Sequence, residues 1–127
     1  MNQYELLHCS HHVRQKSQCA QLFIHHLTAG TLEDIAGDLD YVLVMSVNPG
    51  FGGQAFIPHS LEKLRRVRAV LDAAGSTAAI EIDGGIDQSN AATVVAAGAT
   101  ILVAGNAIFG SGNAESATRA LRAAAAR

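Results

Sequence analysis

Hydrophobic and polar residues along the chain form three successive patterns of a strand followed by a helix, beginning near residue 41. The continuous apolar run from Tyr41 to Ser46 predicts a strand that is buried on both faces. Similar runs at residues 78–82 and 100–104 predict two further strands. Strands that alternate with helices are typical of an α/β fold built on a parallel sheet.

Glycine and polar residues mark where the predicted helices begin and end. An amphipathic helix follows the first strand and is closed by Gly75. A second helix is capped by Ser89 or Asn90 and closed by Gly98, and a last, alanine-rich helix begins near Asn113. These signals give each predicted strand a helix of its own.

The first 40 residues have weaker signals. The segment Gln21–Ile24 has the composition of a strand, and Thr31 with Asp34 has the spacing of a helix cap. This cap predicts a helix running towards Asp38. Residues 1–20 show no clear periodicity.

Composition and charge disfavour several classes of protein. The chain has 127 residues, a formal net charge of −2 and no long basic run, which disfavours a nucleic-acid partner. No apolar stretch reaches the length of about 20 residues that a membrane span needs, and the N-terminus lacks the pattern of a secretory signal. Cys9 and Cys19 make no disulfide framework. We therefore expect a cytoplasmic domain that acts on a small molecule.

The first predicted strand leads into the glycine-rich loop Asn48–Gly53. Its glycines allow the backbone to approach a ligand closely, and their N–H groups are able to converge on an anion such as phosphate. The stretch Gly50–Ala55 also satisfies a relaxed dinucleotide fingerprint. Against that reading, Pro49 precedes the stretch, and the acidic residues Glu81 and Asp83 come too late to bind the ribose.

Polar residues also end the second and third predicted strands. Asp83, followed at once by Gly84 and Gly85, is placed where a barrel fold does its chemistry, although an aspartate before glycine is also a common turn residue. Gly105 and Asn106 precede a short helical segment that suits phosphate, but they are equally suited to ending a strand and capping a turn. The glycines after three successive strands favour the functional interpretation.

A cluster of histidines near the N-terminus suggests a metal hypothesis, which the spacing disfavours. The cluster comprises His8, Cys9, His11 and His12, with His25 and His26 further along. Its spacing matches no closed metal site, and adjacent histidines without periodicity are more often exposed to solvent. His59, after Pro58, is predicted to start a helix.

Three motifs resemble the ribulose-phosphate 3-epimerase family in order and spacing: Val44–Gln54, Glu81–Ile86 and Val103–Phe109. The resemblance implies that their strands are the sixth, seventh and eighth of a (β/α)8 TIM barrel, so that the chain is a partial barrel of about strands 5–8 with their helices. Residues 31–127 would be the C-terminal half of this ribulose-phosphate binding barrel, and residues 1–30 an unmatched N-terminal segment.

The family resemblance also implies an activity. Members interconvert D-ribulose 5-phosphate and D-xylulose 5-phosphate, in pentose phosphate metabolism, by metal-assisted proton transfer at C3 through an enediolate. Two aspartates act on opposite faces of the carbon. Asp83 matches the aspartate of the seventh strand, which is both acid/base and ligand of a divalent metal (Zn, Fe, Mn or Co).

By the same resemblance, nine residues fall at substrate-binding or phosphate-binding positions: Met45, Gly50, Phe51, Gly52, Gly53, Gly84, Gly85, Gly105 and Asn106. From the residues alone, Met45 is equally suited to the core. Asn106 stands where the family usually has serine, and its amide is still able to donate a hydrogen bond.

Several of the family's functional residues have no match in this sequence. The family's first three strands supply a serine, two histidines and the second aspartate, and no corresponding motifs occur here. We therefore expect a truncated epimerase that is impaired as an isolated chain. The alternative is a non-catalytic remnant of the barrel that binds a phosphosugar or serves assembly. Half a barrel would expose two strand edges, which predicts a homo-oligomer or poor solubility.

Overall fold

The computed structural model describes residues 21–24, 32–48 and 50–126. In chain order the elements are β1 (Gln21–Ile24), a 3-10 helix (Ala36–Asp38), β2 (Tyr41–Met45), α1 (Ser60–Ala73), β3 (Ala79–Asp83), α2 (Ala91–Ala96), β4 (Ile101–Val103), α3 (Gly105–Phe109) and α4 (Ala114–Ala125).

The four strands form one parallel sheet in the order β1, β2, β3, β4. The predicted α/β fold with a parallel sheet is therefore confirmed, and so is the strand expected at Gln21–Ile24. In the register of the sheet, Met45 lies beside Asp83, and Asp83 lies beside Val103. The carboxyl ends of β2, β3 and β4 therefore meet at one edge. The numbering of these strands within a barrel stays a prediction.

The hydrophobic core lies between one face of the sheet and the helices. Val42 and Val44 of β2 and Ile80 and Ile82 of β3 are all 0% exposed. The buried helix residues that belong to the same core are Leu64, Val67 and Leu71 of α1, Ala91 and Val94 of α2, and Leu121 of α4. Successive strand residues point to opposite faces, so the residues between these on β2 and β3 belong to the other face of the sheet.

The predicted helix-closing glycines are confirmed. Gly75 follows α1 with a φ of 64°, and the bonds Gly75 N–H to Asp72 O and Ser76 N–H to Leu71 O form a Schellman motif. Gly98 ends α2 in the same way, with a φ of 116°. Each helix ends at its glycine, and the chain then continues to the next strand.

The helix starts agree with the sequence less completely. Asn113 caps α4 by accepting a hydrogen bond from Ser116 N–H, as predicted. Asn90 occupies the N-cap position of α2, but its side chain makes no cap bond to that helix. It donates instead to Gly85 O at 2.8 Å and accepts from Asp87 N–H. The expected cap was wrong because the preceding turn takes up both groups of the amide.

Two further boundaries differ from expectation. The strand predicted to end before Asp83 includes it, and the strand predicted to reach Ser46 ends at Met45. Near the predicted upstream helix the structure has the 3-10 helix Ala36–Asp38, while Thr31, the expected cap, lies outside the described residues. No helix in the described ranges is long and apolar enough to cross a membrane.

Neighbouring valines on α2 provide a test of this packing. Val94 is 0% exposed and Val95 is 38% exposed, so the same change to alanine removes buried methyl groups in one case and largely solvated ones in the other. We expect Val94→Ala to lower the free energy of unfolding by about 2 kcal/mol. Val95→Ala should change it by less than about 0.5 kcal/mol, since alanine also favours the helix. Urea denaturation followed by circular dichroism measures both, and equal losses would contradict the assigned core face.

Candidate functional site

A row of side chains at the carboxyl edge of the sheet defines the candidate site. Met45 and Asp83 end β2 and β3, lie side by side in the register, and are both partly exposed. Both belong to the face opposite the core residues Val44 and Ile82. Alternation along the strands therefore directs the predicted catalytic carboxylate away from the packed helices.

The glycine-rich loop after β2 is closed by its own glutamine. Gln54 donates from its side-chain nitrogen to the carbonyl oxygens of Asn48, at 2.6 Å, and of Phe51, at 2.9 Å. These bonds tie Gln54 back to the start and the middle of the loop. Phe51 is 75% exposed, and Gly53 has a φ of 75°.

The turn after β3 is packed tightly against this loop. A Cβ added at Gly84 would lie 2.5 Å from the side chain of Val47, and one added at Gly85 would lie 2.4 Å from the backbone nitrogen of Phe56. Contacts under 3.0 Å leave no room for any side chain. The two glycines therefore allow the segments that follow β2 and β3 to touch.

The third loop completes the cluster. Gly105 and Asn106 are the first two residues of α3, where backbone N–H groups have no partner inside the helix. A Cβ added at Gly53 would lie 3.9 Å from the side-chain oxygen of Asn106, so the first and third loops are neighbours. All the predicted site residues thus belong to three neighbouring loops or strand ends.

The surroundings of Asp83 shift the pKa of its carboxyl. Burial, and secondarily the negative charge of Glu81, raise the pKa of the Asp83 carboxyl above its usual range. Glu81 lies two residues earlier on the same face of β3 and accepts a hydrogen bond from the Tyr41 hydroxyl at 2.7 Å. A carboxyl with a raised pKa is better able to hold and return a proton near neutral pH.

The described residues do not by themselves fit a divalent metal. Within that part of the chain, no group of three or more His, Cys, Asp and Glu side chains is arranged to hold a metal ion. Protein sites for such ions use several ligands, and here Asp83 is the predicted one. The clustered histidines at 8–12 and 25–26 lie outside the described residues. His59 is exposed at the N-cap of α1, as predicted.

Four residues that support the site were not assigned a role in the site from the sequence. Ser46, Gln54, Glu81 and Asn90 each make a hydrogen bond to a site loop or to its neighbouring strand. Polar residues inside or directly after an apolar strand are the signal that would have identified Ser46 and Glu81. Gln54 and Asn90 follow glycine turns, where a polar residue is ordinary and gives no such signal.

Comparisons with known proteins identify one family. A model of the ribulose-phosphate 3 epimerase family matches residues 5–109. Ribulose-phosphate 3-epimerase of Escherichia coli (strain K12) is 50% identical over 68 residues, which are 54% of this chain and 30% of that protein. The enzyme of the same name from Aquifex aeolicus is 57% identical over 60 residues, which are 47% of this chain and 27% of that protein.

A third relative, ribulose-phosphate 3-epimerase 1 of Cupriavidus necator, is 51% identical over 74 residues, 55% of this chain and 31% of that protein. The matches therefore cover about a third or less of the length of these curated relatives. The domain boundary predicted at residue 30 stays a prediction.

The close packing at Gly85 is testable against a matched glycine. Gly75 has nearly the same φ, 64° against 65°, but an added Cβ there would meet nothing within 4 Å. Gly75→Ala should therefore cost only the backbone penalty, about 1–2 kcal/mol of unfolding free energy. Gly85→Ala should cost about 1–3 kcal/mol more, because the backbone of Phe56 must move. Denaturant unfolding of both variants measures the difference, and equal costs would contradict the contact.

The raised pKa of Asp83 predicts how stability depends on pH. The folded protein holds this proton more tightly than the unfolded chain, so the favourable contribution is complete in acid. The stabilisation from the protonated Asp83 carboxyl is lost as pH rises from the ordinary aspartate pKa of about 3.9 through the raised pKa of the folded protein. Asp83→Asn should therefore gain stability relative to the natural chain as pH rises across that window. Thermal unfolding against pH measures this, with Asp72→Asn on the exposed side of α1 as the control; a constant difference would contradict it.

Proposed function

Because the chain belongs to the ribulose-phosphate 3-epimerase family, we propose that it acts in the interconversion of D-ribulose 5-phosphate and D-xylulose 5-phosphate. The supporting observation is the meeting of three loops around Asp83 at the carboxyl edge of a parallel sheet. Catalytic groups of (β/α)8 barrels lie at this edge. The same proposal makes β3 the seventh of the eight strands of a barrel.

Asp83 is the proposed acid/base group for the proton at C3. Its carboxyl projects on the face opposite the core, and burial together with the charge of Glu81 raises its pKa, which suits reversible proton transfer. Met45, beside it in the register, supplies an apolar neighbour for the reacting carbon. The divalent metal implied by the family would have Asp83 as one ligand, with its other ligands outside the described residues.

The phosphate of the substrate is proposed to bind between the first and third loops. Gly53 and Asn106 approach each other there, and backbone N–H groups near Gly52, Gly53, Gly105 and Asn106 suit an anion. Gly84 and Gly85 keep the intervening turn free of side chains. Phe51, exposed beside this region, would cover the bound sugar.

Epimerisation needs a second proton-transfer group, because a carboxylate on one side of C3 cannot serve both faces of the carbon. Asp83 is therefore proposed to work with groups from outside the described residues, and the chain by itself is proposed to be impaired. The alternative is a non-catalytic protein that binds a phosphosugar. The three loops support this alternative, because binding needs no second carboxylate. A homo-oligomeric state and a cytoplasmic location stay predictions.

An assay with the full chain separates these functions. We expect epimerisation of ribulose 5-phosphate, with Zn²⁺, Fe²⁺ or Mn²⁺ added, to fall by about a hundredfold or more in Asp83→Asn, because the transferred proton loses its carrier. Asp72→Asn, whose side chain is 65% exposed on α1, is the matched control and should keep the activity of the natural chain. A parallel NMR titration with inorganic phosphate should shift the amide signals of Gly53 and Asn106.

The outcomes have distinct meanings. Turnover that Asp83→Asn abolishes and Asp72→Asn preserves supports the epimerase. Phosphate-induced shifts without turnover in any variant support the binding protein. A folded chain with neither turnover nor phosphate shifts contradicts both proposals.

A further inference from the structure

Ser46 directly follows β2 and is completely buried, with 0% of its surface exposed. Its N–H donates to the carbonyl oxygen of Asp83 at 2.8 Å, and its own carbonyl accepts from Ile57 N–H at 2.9 Å. Its hydroxyl lies 2.9 Å from the carbonyl oxygen of Asp83 and 2.7 Å from that of Gly84. The one hydroxyl proton is therefore shared between two consecutive carbonyl groups.

The turn that receives these bonds has little restraint of its own. Gly84 and Gly85 follow Asp83 at once, with φ values of 118° and 65°. Glycine has more backbone freedom than any other residue, so this pair does not by itself select one conformation. Because Asp83 is the last residue of β3, rotation of the next peptide plane alters the backbone from which its carboxylate projects.

Burial makes the hydroxyl difficult to replace. When a buried hydroxyl is removed, its former acceptors lose a partner in a place that bulk water does not reach. The Asp83 oxygen would keep the Ser46 N–H as a donor, whereas the Gly84 oxygen would lose the hydroxyl. The effect of removing the hydroxyl should therefore be greatest at Gly84 and the residues on either side of it.

We propose that Ser46 is a positioning residue for Asp83, whose buried hydroxyl holds the Asp83–Gly84–Gly85 turn in the conformation that presents the carboxylate to substrate. The inference rests on the function proposed above, since Ser46 acts only through Asp83. The backbone bond from Ile57 N–H to the Ser46 carbonyl also ties Ser46 to the segment that follows the glycine-rich loop.

A second interstrand hydroxyl, on the exposed residue Thr100, lies at the opposite end of the sheet. Thr100 N–H donates to Ile80 O at 2.8 Å, and the Thr100 hydroxyl lies 3.2 Å from the same oxygen and accepts from Ile80 N–H at 2.9 Å. Like the Ser46 hydroxyl, the Thr100 hydroxyl bonds to the neighbouring strand β3. Thr100 precedes β4 and lies far from the Asp83–Gly84–Gly85 turn. Thr100→Val therefore removes an interstrand hydroxyl without changing the surroundings of Asp83.

NMR of the full chain compares Ser46→Ala, Ser46→Cys and Thr100→Val. We expect Ser46→Ala to shift or broaden the amide signals of Gly84 and Gly85 and the carboxyl carbon signal of Asp83. In Ser46→Cys the new side chain is similar in size and keeps a weak donor, so the signals should change less. This variant replaces Ser46→Ala in the comparison if the alanine variant does not fold. Thr100→Val should leave these signals in place. In the epimerase assay, Ser46→Ala should lower kcat about tenfold or more at unchanged KM.

Unchanged signals from Asp83, Gly84 and Gly85 in the folded Ser46 variants would overturn the inference. An equal loss of kcat in Thr100→Val would overturn it too, because the effect would then follow from any lost interstrand bond. If the natural chain shows no turnover, the proposed function fails separately, and the NMR comparison still decides whether Ser46 fixes the turn.

Discussion

The parallel register of β2, β3 and β4 is the constraint on which the candidate site depends. It places Met45 beside Asp83 and Asp83 beside Val103, so the loops that follow the three strands leave the sheet at the same edge. Their proximity follows from the strand pairing, and the strand pairing follows from the apolar residues that the helices cover on the other face. The core therefore packs against one face of the sheet, and the side chains of the candidate site lie on the other face.

Glycine determines how closely these loops approach. At Gly84 and Gly85 the neighbouring segment occupies the space that a side chain would need, and a Cβ added at Gly53 would lie 3.9 Å from the side-chain oxygen of Asn106. The freedom that permits this contact also makes the turn after Asp83 conformationally soft. Buried hydrogen bonds compensate for that softness: Ser46 holds the carbonyl groups of Asp83 and Gly84, and Asn90 donates to the carbonyl group of Gly85. Three consecutive carbonyl groups are therefore held by side chains from outside the turn.

The sequence predicted most elements of the fold, because periodicity and glycine placement are local signals, while the roles of the site residues stay predictions. The strands, the glycines that close α1 and α2, and the Asn113 cap all depend on residues a few positions apart. The supporting contacts depend on residues far apart in the chain: Ser46 and Gly84 are 38 positions apart, and Tyr41 and Glu81 are 40 positions apart. No local pattern specifies such pairs. Asn90 shows the same limitation, since its side chain had a local cap available and bonds to the turn instead.

The charges on the open face of β3 show that this region is not arranged for stability alone. Two carboxylates, Glu81 and Asp83, lie two residues apart on one strand face, where the charge of Glu81 disfavours ionisation of Asp83. Tyr41 supplies a hydrogen bond to Glu81, while burial and the charge of Glu81 both disfavour ionisation of Asp83. An apolar residue at position 83 would remove this cost to folding. A carboxyl with a raised pKa at the carboxyl edge of the sheet, beside a turn held by Ser46 and Asn90, is the kind of group that is associated with functional sites.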